Sequence, residues 1–261
     1  MKRLVFQVTL SMFLILATVS ITFSAEVDES IVLWLQYDDG DGDTAKDSSI
    51  HGNDGIINGC EWVEGRYGTA LQFDGAASFV EVEDDESLLL TEDGITIAVW
   101  LKTTQKDILC GITIEKGVDW GAGSYCVNYP GYEPGFNNKV RFQVYPNWFD
   151  SESGTDEISD DDWHYCAGTY DHTDGKYKVY VDGKFETEGT GTADIIPMAG
   201  SAYIGSRAGT TMFYEGVMDE LLVANVPFSE DMLKKHMNGL LAPVDFAGKL
   251  AAAWGGIKAK H

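Results

Sequence analysis

The chain has 261 residues, with 18 Lys and Arg against 42 Asp and Glu and a formal net charge of −24 at neutral pH. A surface of that sign repels phosphate backbones, which excludes nucleic acid as a partner; it favours solubility and attracts cations. The length suits one large β-sandwich as well as two small domains.

Met1-Lys2-Arg3 gives a positive start, 4–19 are apolar with few interruptions, and Thr22-Phe23-Ser24-Ala25 precede the acidic Glu26-Val27-Asp28. This layout predicts a secretory signal peptide over 1–24, cut after Ser24 so that Thr22 rather than the bulky Phe23 stands at −3. The alternative, an uncleaved anchor, has a short apolar run against it. Cleavage leaves about 235 residues, 16 basic against 42 acidic and a formal charge of −26. No later stretch is apolar for long enough to cross a bilayer, so no membrane insertion follows cleavage. The expected location is secreted or extracytoplasmic, in a periplasm or at a cell surface.

Short apolar or alternating runs then follow one another, with turn residues between them. They predict strands at 31–37, 55–57, 70–73, 78–82, 95–102, 108–115, 125–129, 140–145, 163–170, 176–181, 201–204 and 216–224. In 95–101 the residues Ile95, Ile97, Val99 and Leu101 fall on one face, the period of a half-buried strand. Asp-Gly pairs at 39–40, 41–42, 54–55, 74–75, 174–175 and 182–183 punctuate the runs, since Gly permits left-handed geometry and Asp bonds its own backbone. The pair Asp174-Gly175 between 163–170 and 176–181 predicts a hairpin whose two central residues both have positive φ. A single helix is predicted after Ser229, which can cap it, with Glu230 and Asp231 at its start, Lys234 to His236 at its end and Gly239 as its stop. Many short strands without interleaved helices give an all-β chain, a two-sheet antiparallel sandwich with one short C-terminal helix. One domain over 28–240 is expected, followed by a tail at 241–261 that Pro243 separates from the helix.

Cys60, Cys110, Cys126 and Cys166 all lie in the exported part. An even number in an exported chain suggests disulfides, with three possible pairings. Cys110 and Cys126 flank a turn at 117–121 at nearly equal distance and could face each other across a hairpin, which leaves Cys60 with Cys166. Buried free thiols are the alternative. The spacing does not suit a zinc cluster.

The stretch Trp163-His-x-x-Ala-Gly-Thr-Tyr-Asp171, then Gly175-Lys and Tyr180-Val-Asp-Gly183, resembles the central hairpin of LamG-like, concanavalin A-like jelly-roll domains. Asp47-Ser-Ser with Gly52-Asn-Asp-Gly55, the block 65–75, the strand 95–102 and the closing block 213–228 resemble further parts of that family in the expected order. The resemblance implies a jelly roll. The tail is similar to ones found on some bacterial secreted proteins with this module, which implies a sorting role.

The family likeness also implies that the Asp74 loop lies beside the strand carrying Asp219. Hard cations want several oxygens on a shaped loop, so Asp74 and Asp219 are the leading candidates for a structural Ca²⁺, with Asp47 and Asn53 as further ones. The alternative is that these groups cap turns. For a sugar, Trp120, Tyr129, Tyr132, Tyr145 and Trp148 are the candidates, in a Gly-, Pro- and Asn-rich region that also holds Tyr125, Phe136 and Phe149; flat rings stack on sugar faces. Rings that simply pack in the sandwich are the alternative. Glu81-Val-Glu83 imitates the acidic strand of laminarinase-type hydrolases on the same fold but reads better as a solvated strand exit. His164 is expected to pack or hydrogen-bond. No nucleophile motif, nucleotide loop or zinc-protease motif occurs. The expectation is a non-catalytic module that recognises a glycan or a cell-surface partner through loops at one end or the concave sheet, with a structural Ca²⁺ shaping them. A glycoside hydrolase or polysaccharide lyase, and a structural or adhesion module, are the rival readings.

Overall fold

The computed structural model describes residues 28–90, 93–105, 111–117, 125–129, 140–144, 158–191 and 199–241, with backbone alone at 126–129. The predicted signal peptide, the tail beyond 241, Cys110, Trp120, Tyr132, Tyr145 and Trp148 lie outside the described residues.

In chain order the strands are β1 (Ile31–Leu35), β2 (Thr44–Ala45), β3 (Gly55–Asn58), β4 (Glu61–Glu64), β5 (Thr69–Asp74), β6 (Phe79–Val82), β7 (Gly94–Lys102) and β8 (Gly111–Lys116). They continue as β9 (Tyr125–Tyr129), β10 (Arg141–Val144), β11 (His164–Asp171), β12 (Lys176–Val181), β13 (Lys184–Thr190), β14 (Ala202–Ile204) and β15 (Glu215–Ala224), followed by one α-helix, α1 (Glu230–Met237). An eight-stranded sheet runs β13-β12-β11-β7-β15-β5-β4 with β1 also paired to β15, and a seven-stranded sheet runs β10-β9-β8-β14-β6-β3-β2. Every paired ladder is antiparallel, and the two sheets face each other across one core: the jelly-roll sandwich expected from the alternating runs.

Alternation assigns the faces. Ile95, Ile97, Val99 and Leu101 point into that core, while Ala98 and Trp100 on the same strand join a second apolar layer outside the larger sheet. There α1 covers Trp34, Trp100 and Tyr165 with Leu233 and His236. Burying one such aliphatic or aromatic side chain stabilises the fold by roughly 1.5–3 kcal/mol. The helix starts where the sequence places it: the Ser229 hydroxyl accepts from the Met232 amide at 3.3 Å, and Gly239 ends it at φ 65.

The hairpin differs from its prediction in one respect. β11 and β12 pair in register from Cys166 with Val181 to Tyr170 with Tyr177. At the connection only Gly175 has positive φ (70), with its amide bonded to the Asp171 carbonyl at 2.8 Å. The two-residue turn with both φ positive is the next one, Asp182 (50) and Gly183 (71), and it joins β12 to β13.

β15 carries a bulge. Asp219 faces Trp100 and Leu222 faces Ala98, so one extra residue sits between them, and Glu220 takes φ 52. The bulge resets the alternation: Met218 points to the core before it, Leu221 and Val223 after it. Asp219 and Glu220 are thereby both held inside the protein, at 0 % and 2 % exposure.

Candidate functional site

The outward face of the seven-stranded sheet is built by register. Glu115 on β8 faces Tyr203 on β14, Tyr203 faces Glu81 on β6, and Glu81 faces Ile56 on β3. One row along, Phe79 faces Asn58. Their strand neighbours Val80, Val82, Ile57, Ile114, Ala202 and Ile204 point into the core, which fixes the row outward. Phe79 and Tyr203 form a tilted ring pair with centroids 6.1 Å apart, both half-buried, and the Tyr203 hydroxyl donates to Glu81 Oε1 at 3.2 Å. Burial, with the Glu81 charge beside it, raises the Tyr203 phenol. Ile56 is 46 % exposed, so this end of the row is open to solvent.

The other end is closed. Arg207 Nε lies 3.1 and 3.0 Å from the two Glu115 carboxylate oxygens and its terminal nitrogen 2.8 Å from Oε1. This is a bidentate pair with side chains only 2 % (Glu115) and 10 % (Arg207) exposed. Arg207 sits there because the chain turns sharply after β14. The Arg207 amide bonds the Thr211 carbonyl at 2.8 Å, and Ala208 (φ 51) and Gly209 (φ 65) make the turn. A Cβ on Gly209 would stand 2.9 Å from the Phe79 ring, so glycine lets the loop rest on that ring and form one wall of the surface.

The predicted metal ligands do not converge. Asp74 faces Glu215 across β5 and β15, and Asp219 lies four residues farther along β15, roughly 13 Å away. Asp74 Oδ1 accepts from the amides of Ala76, Ala77 and Ser78, each at 2.9 Å, and these bonds hold its carboxyl far below the usual range. Asp47 accepts from the Trp34, Ser49 and Asn53 amides, and Asn53 Nδ2 donates to the Val32 carbonyl and Ser87 Oγ. Asp74 and Asp47 thus act as turn and strand caps, and the Asn53 amide donates across to β1 and Ser87. Among the described residues no group of three or more His, Cys, Asp or Glu is placed to hold a metal ion. Asp74 and Asp219 are too far apart along β15 to bind one ion together.

Asp219 has a different environment. Its Oδ2 accepts from the Tyr67 amide at 2.9 Å, its Oδ1 has no hydrogen-bond partner, and burial together with the Glu220 charge pushes its carboxyl up to about 8. Nearby Trp34 Nε1 donates to Glu220 Oε2 at 2.8 Å, and the Tyr67 hydroxyl donates to the Met237 carbonyl. The cluster ties the bulge to β1 and α1.

The expected Cys60–Cys166 disulfide does not form; both are free thiols. Cys60 enters β4 at one edge of the larger sheet and Cys166 lies on β11, four strand positions away, about 19 Å at the usual spacing. A disulfide needs Cα atoms about 4.4–6.8 Å apart. Burial pushes the Cys60 thiol up to about 12 and the Cys166 thiol also well up, so neither is a reactive nucleophile near neutral pH. Cys126 pairs with Gln143 and Glu115 in the β9 ladder.

Of the aromatic candidates, Tyr129 stands at the end of β9 opposite Gly111, and Tyr125 goes into the core at 2 % exposure. His164 hydrogen-bonds, as expected: Nδ1 lies 3.0 Å from Asp182 Oδ2 and Nε2 3.1 Å from Asp160 Oδ1. Burial opposes its protonation, but the two carboxylates outweigh it and raise the imidazole. Phe79, Tyr203, Glu115 and Arg207 were not picked out in the sequence. A period-two reading of 79–82 and 202–204 gives their outward direction, but only the ladder register brings them together.

Two antiparallel sheets with these crossovers define a lectin- and glucanase-type jelly roll. The chain belongs to the concanavalin A-like lectin/glucanases superfamily, whose Laminin_G_3 model matches residues 74–234. No curated protein matches. Domain 4 of AbnA, a GH43 extracellular arabinanase from Geobacillus stearothermophilus solved with arabinotriose, is similar at TM-score 0.62 and 19 % identity, covering 79 % of this chain and 98 % of that one. The binding domain of Paraclostridial Mosquitocidal Protein 1 is similar at 0.58 and 14 %, covering 80 % and 52 %. A Trypanosoma rangeli sialidase in complex with sialic acid is similar at 0.59 and 14 %, covering 82 % of this chain and 34 % of that one. This chain thus spans about a third of the sialidase and half of the mosquitocidal structure.

Proposed function

We propose that the protein is a non-catalytic glycan-binding module that works outside the cytoplasm, and that its sugar lies on the outward face of the seven-stranded sheet. The half-exposed Phe79–Tyr203 pair beside Glu81 carries this reading. Flat rings offer a stacking surface, and a carboxylate fixed by a tyrosine hydroxyl accepts from sugar hydroxyls. The arabinotriose complex of the AbnA domain, similar over 98 % of its length, supports the ligand class. Against catalysis stands the state of Glu115. It lies on the same face as Glu81, two strands away, but Arg207 grips both its oxygens, so neither is free to donate a proton for glycoside cleavage.

The test is a glycan array followed by calorimetric titration of the strongest hit, arabinotriose included. Tyr203→Ala and Phe79→Ala are each expected to weaken binding about tenfold, a ring's worth of contact, with little change in melting temperature. Full affinity in both variants would move the ligand off this face, and release of reducing sugar would restore the enzyme reading.

A further inference from the structure

We infer that this face selects neutral glycans over acidic ones, with Glu81 as the residue that sets the preference; the inference rests on the glycan reading above. It follows from where the charges go. Among the described residues, the cations bordering the row are paired or buried. Arg207 is paired to Glu115. Lys116, 1 % exposed, is held by Asp84 and the Gly200 carbonyl. Arg141 is 6 % exposed, and Lys46, at the β2 end, is paired to Asp54 at 2.7 Å.

The carboxylate at the open end has no such partner. Glu81 is half-buried, bonded to the Tyr203 hydroxyl, and among the described residues no cation is in ion-pair contact with it. After Val82 come Glu83, Asp84, Asp85 and Glu86, all exposed, of which Asp84 pairs with Lys116. A uronate or sialate laid across the rings would set its carboxylate against Glu81 and this acidic run without a guanidinium to receive it, and like charges side by side oppose binding. A neutral sugar offers hydroxyl donors instead, which is what a carboxylate and a tyrosine oxygen accept.

The experiment titrates the full chain with matched neutral and acidic oligosaccharides, for example galactose against galacturonate oligomers and lactose against sialyllactose, at low and high salt. Neutral members are expected to bind at least about tenfold more tightly, and added salt should narrow the gap by screening the repulsion. Glu81→Gln, which keeps an oxygen for Tyr203, should narrow it at low salt, and Tyr203→Ala should weaken binding of both about tenfold. Equal or tighter binding of the acidic member, weakened in Tyr203→Ala, would overturn the selectivity and leave the glycan reading standing. A gap unchanged in Glu81→Gln would remove Glu81 from the role. Binding of neither class, or binding indifferent to Tyr203→Ala, would sink both.

Discussion

Two buried groups show how the interior handles charge. Glu115 and Arg207 are desolvated together, so each is tolerable only while the other is present. Removing one leaves a buried charge without its partner, and Glu115→Ala or Arg207→Ala is expected to cost about 3–5 kcal/mol in urea unfolding. The double change Glu115→Leu with Arg207→Met should recover much of that loss; additive penalties would contradict the pairing. Asp219 meets burial by holding its proton. Its folded-state carboxyl titrates at about 8, against about 4 for an unfolded aspartate. Between those values the folded chain binds a proton the unfolded chain has released, so this group makes stability fall as pH rises. Asp219→Asn keeps the acceptor for the Tyr67 amide and cannot titrate. A flatter stability-pH curve from about pH 4 to pH 8 is the expected outcome, and a slope unchanged from the parent would refute it.

Among the elements, the long buried strands were plain in the sequence because burial writes a pattern. Ile95, Ile97, Val99 and Leu101 alternate with residues that face a second, different apolar layer. β2, β4 and β13 were missed, and all three end a sheet. An edge strand needs no apolar face: Glu61-Trp-Val-Glu64 and Lys184-Phe-Glu-Thr-Glu-Gly-Thr190 carry charges that discourage edge-to-edge pairing, and so they read as loops. The Asp-Gly signal at 174–175 marked a hairpin but not its turn type, since four loop residues let Gly175 alone carry the left-handed step. For α1 the capping signals were enough. Ser229→Ala should lower stability by about 1 kcal/mol, read as a drop in melting temperature. An unshifted midpoint would mean that packing of Leu233 and His236 alone fixes the helix start.

At the scale of the molecule, the sandwich holds without a Cys60–Cys166 link. Alkylation after unfolding without reductant, followed by peptide mapping, should find both cysteines modified; a cross-linked peptide joining them would overturn the assignment. Fold and site differ in how far one sequence reveals them. The fold repeats its signal in most of its strands. The site draws single residues from β3, β6, β8 and β14 and from the turn after β14, and no spacing along the chain announces that Ile56, Glu81, Tyr203 and Glu115 share one row. The acidic turn residues drew attention as metal ligands because their type suits calcium, yet the same lone pairs serve as backbone caps at Asp47 and Asp74.

The bulge in β15 also makes that strand a counting device. Up to Met218 the core-facing positions are even-numbered, and from Leu221 onward they are odd. Deleting one residue between them would return the strand to a single parity, with Leu221 and Val223 still facing the core and Leu222 and Ala224 still facing the helix side, now in step with Met218. Related chains that lack the extra residue should therefore show unbroken alternation here, whereas those that keep it should show two adjacent non-core positions, as Asp219 and Glu220 are in this chain. The gap pattern at this point is then a ruler for aligning distant members, usable where overall identity is too low to align them by residue type.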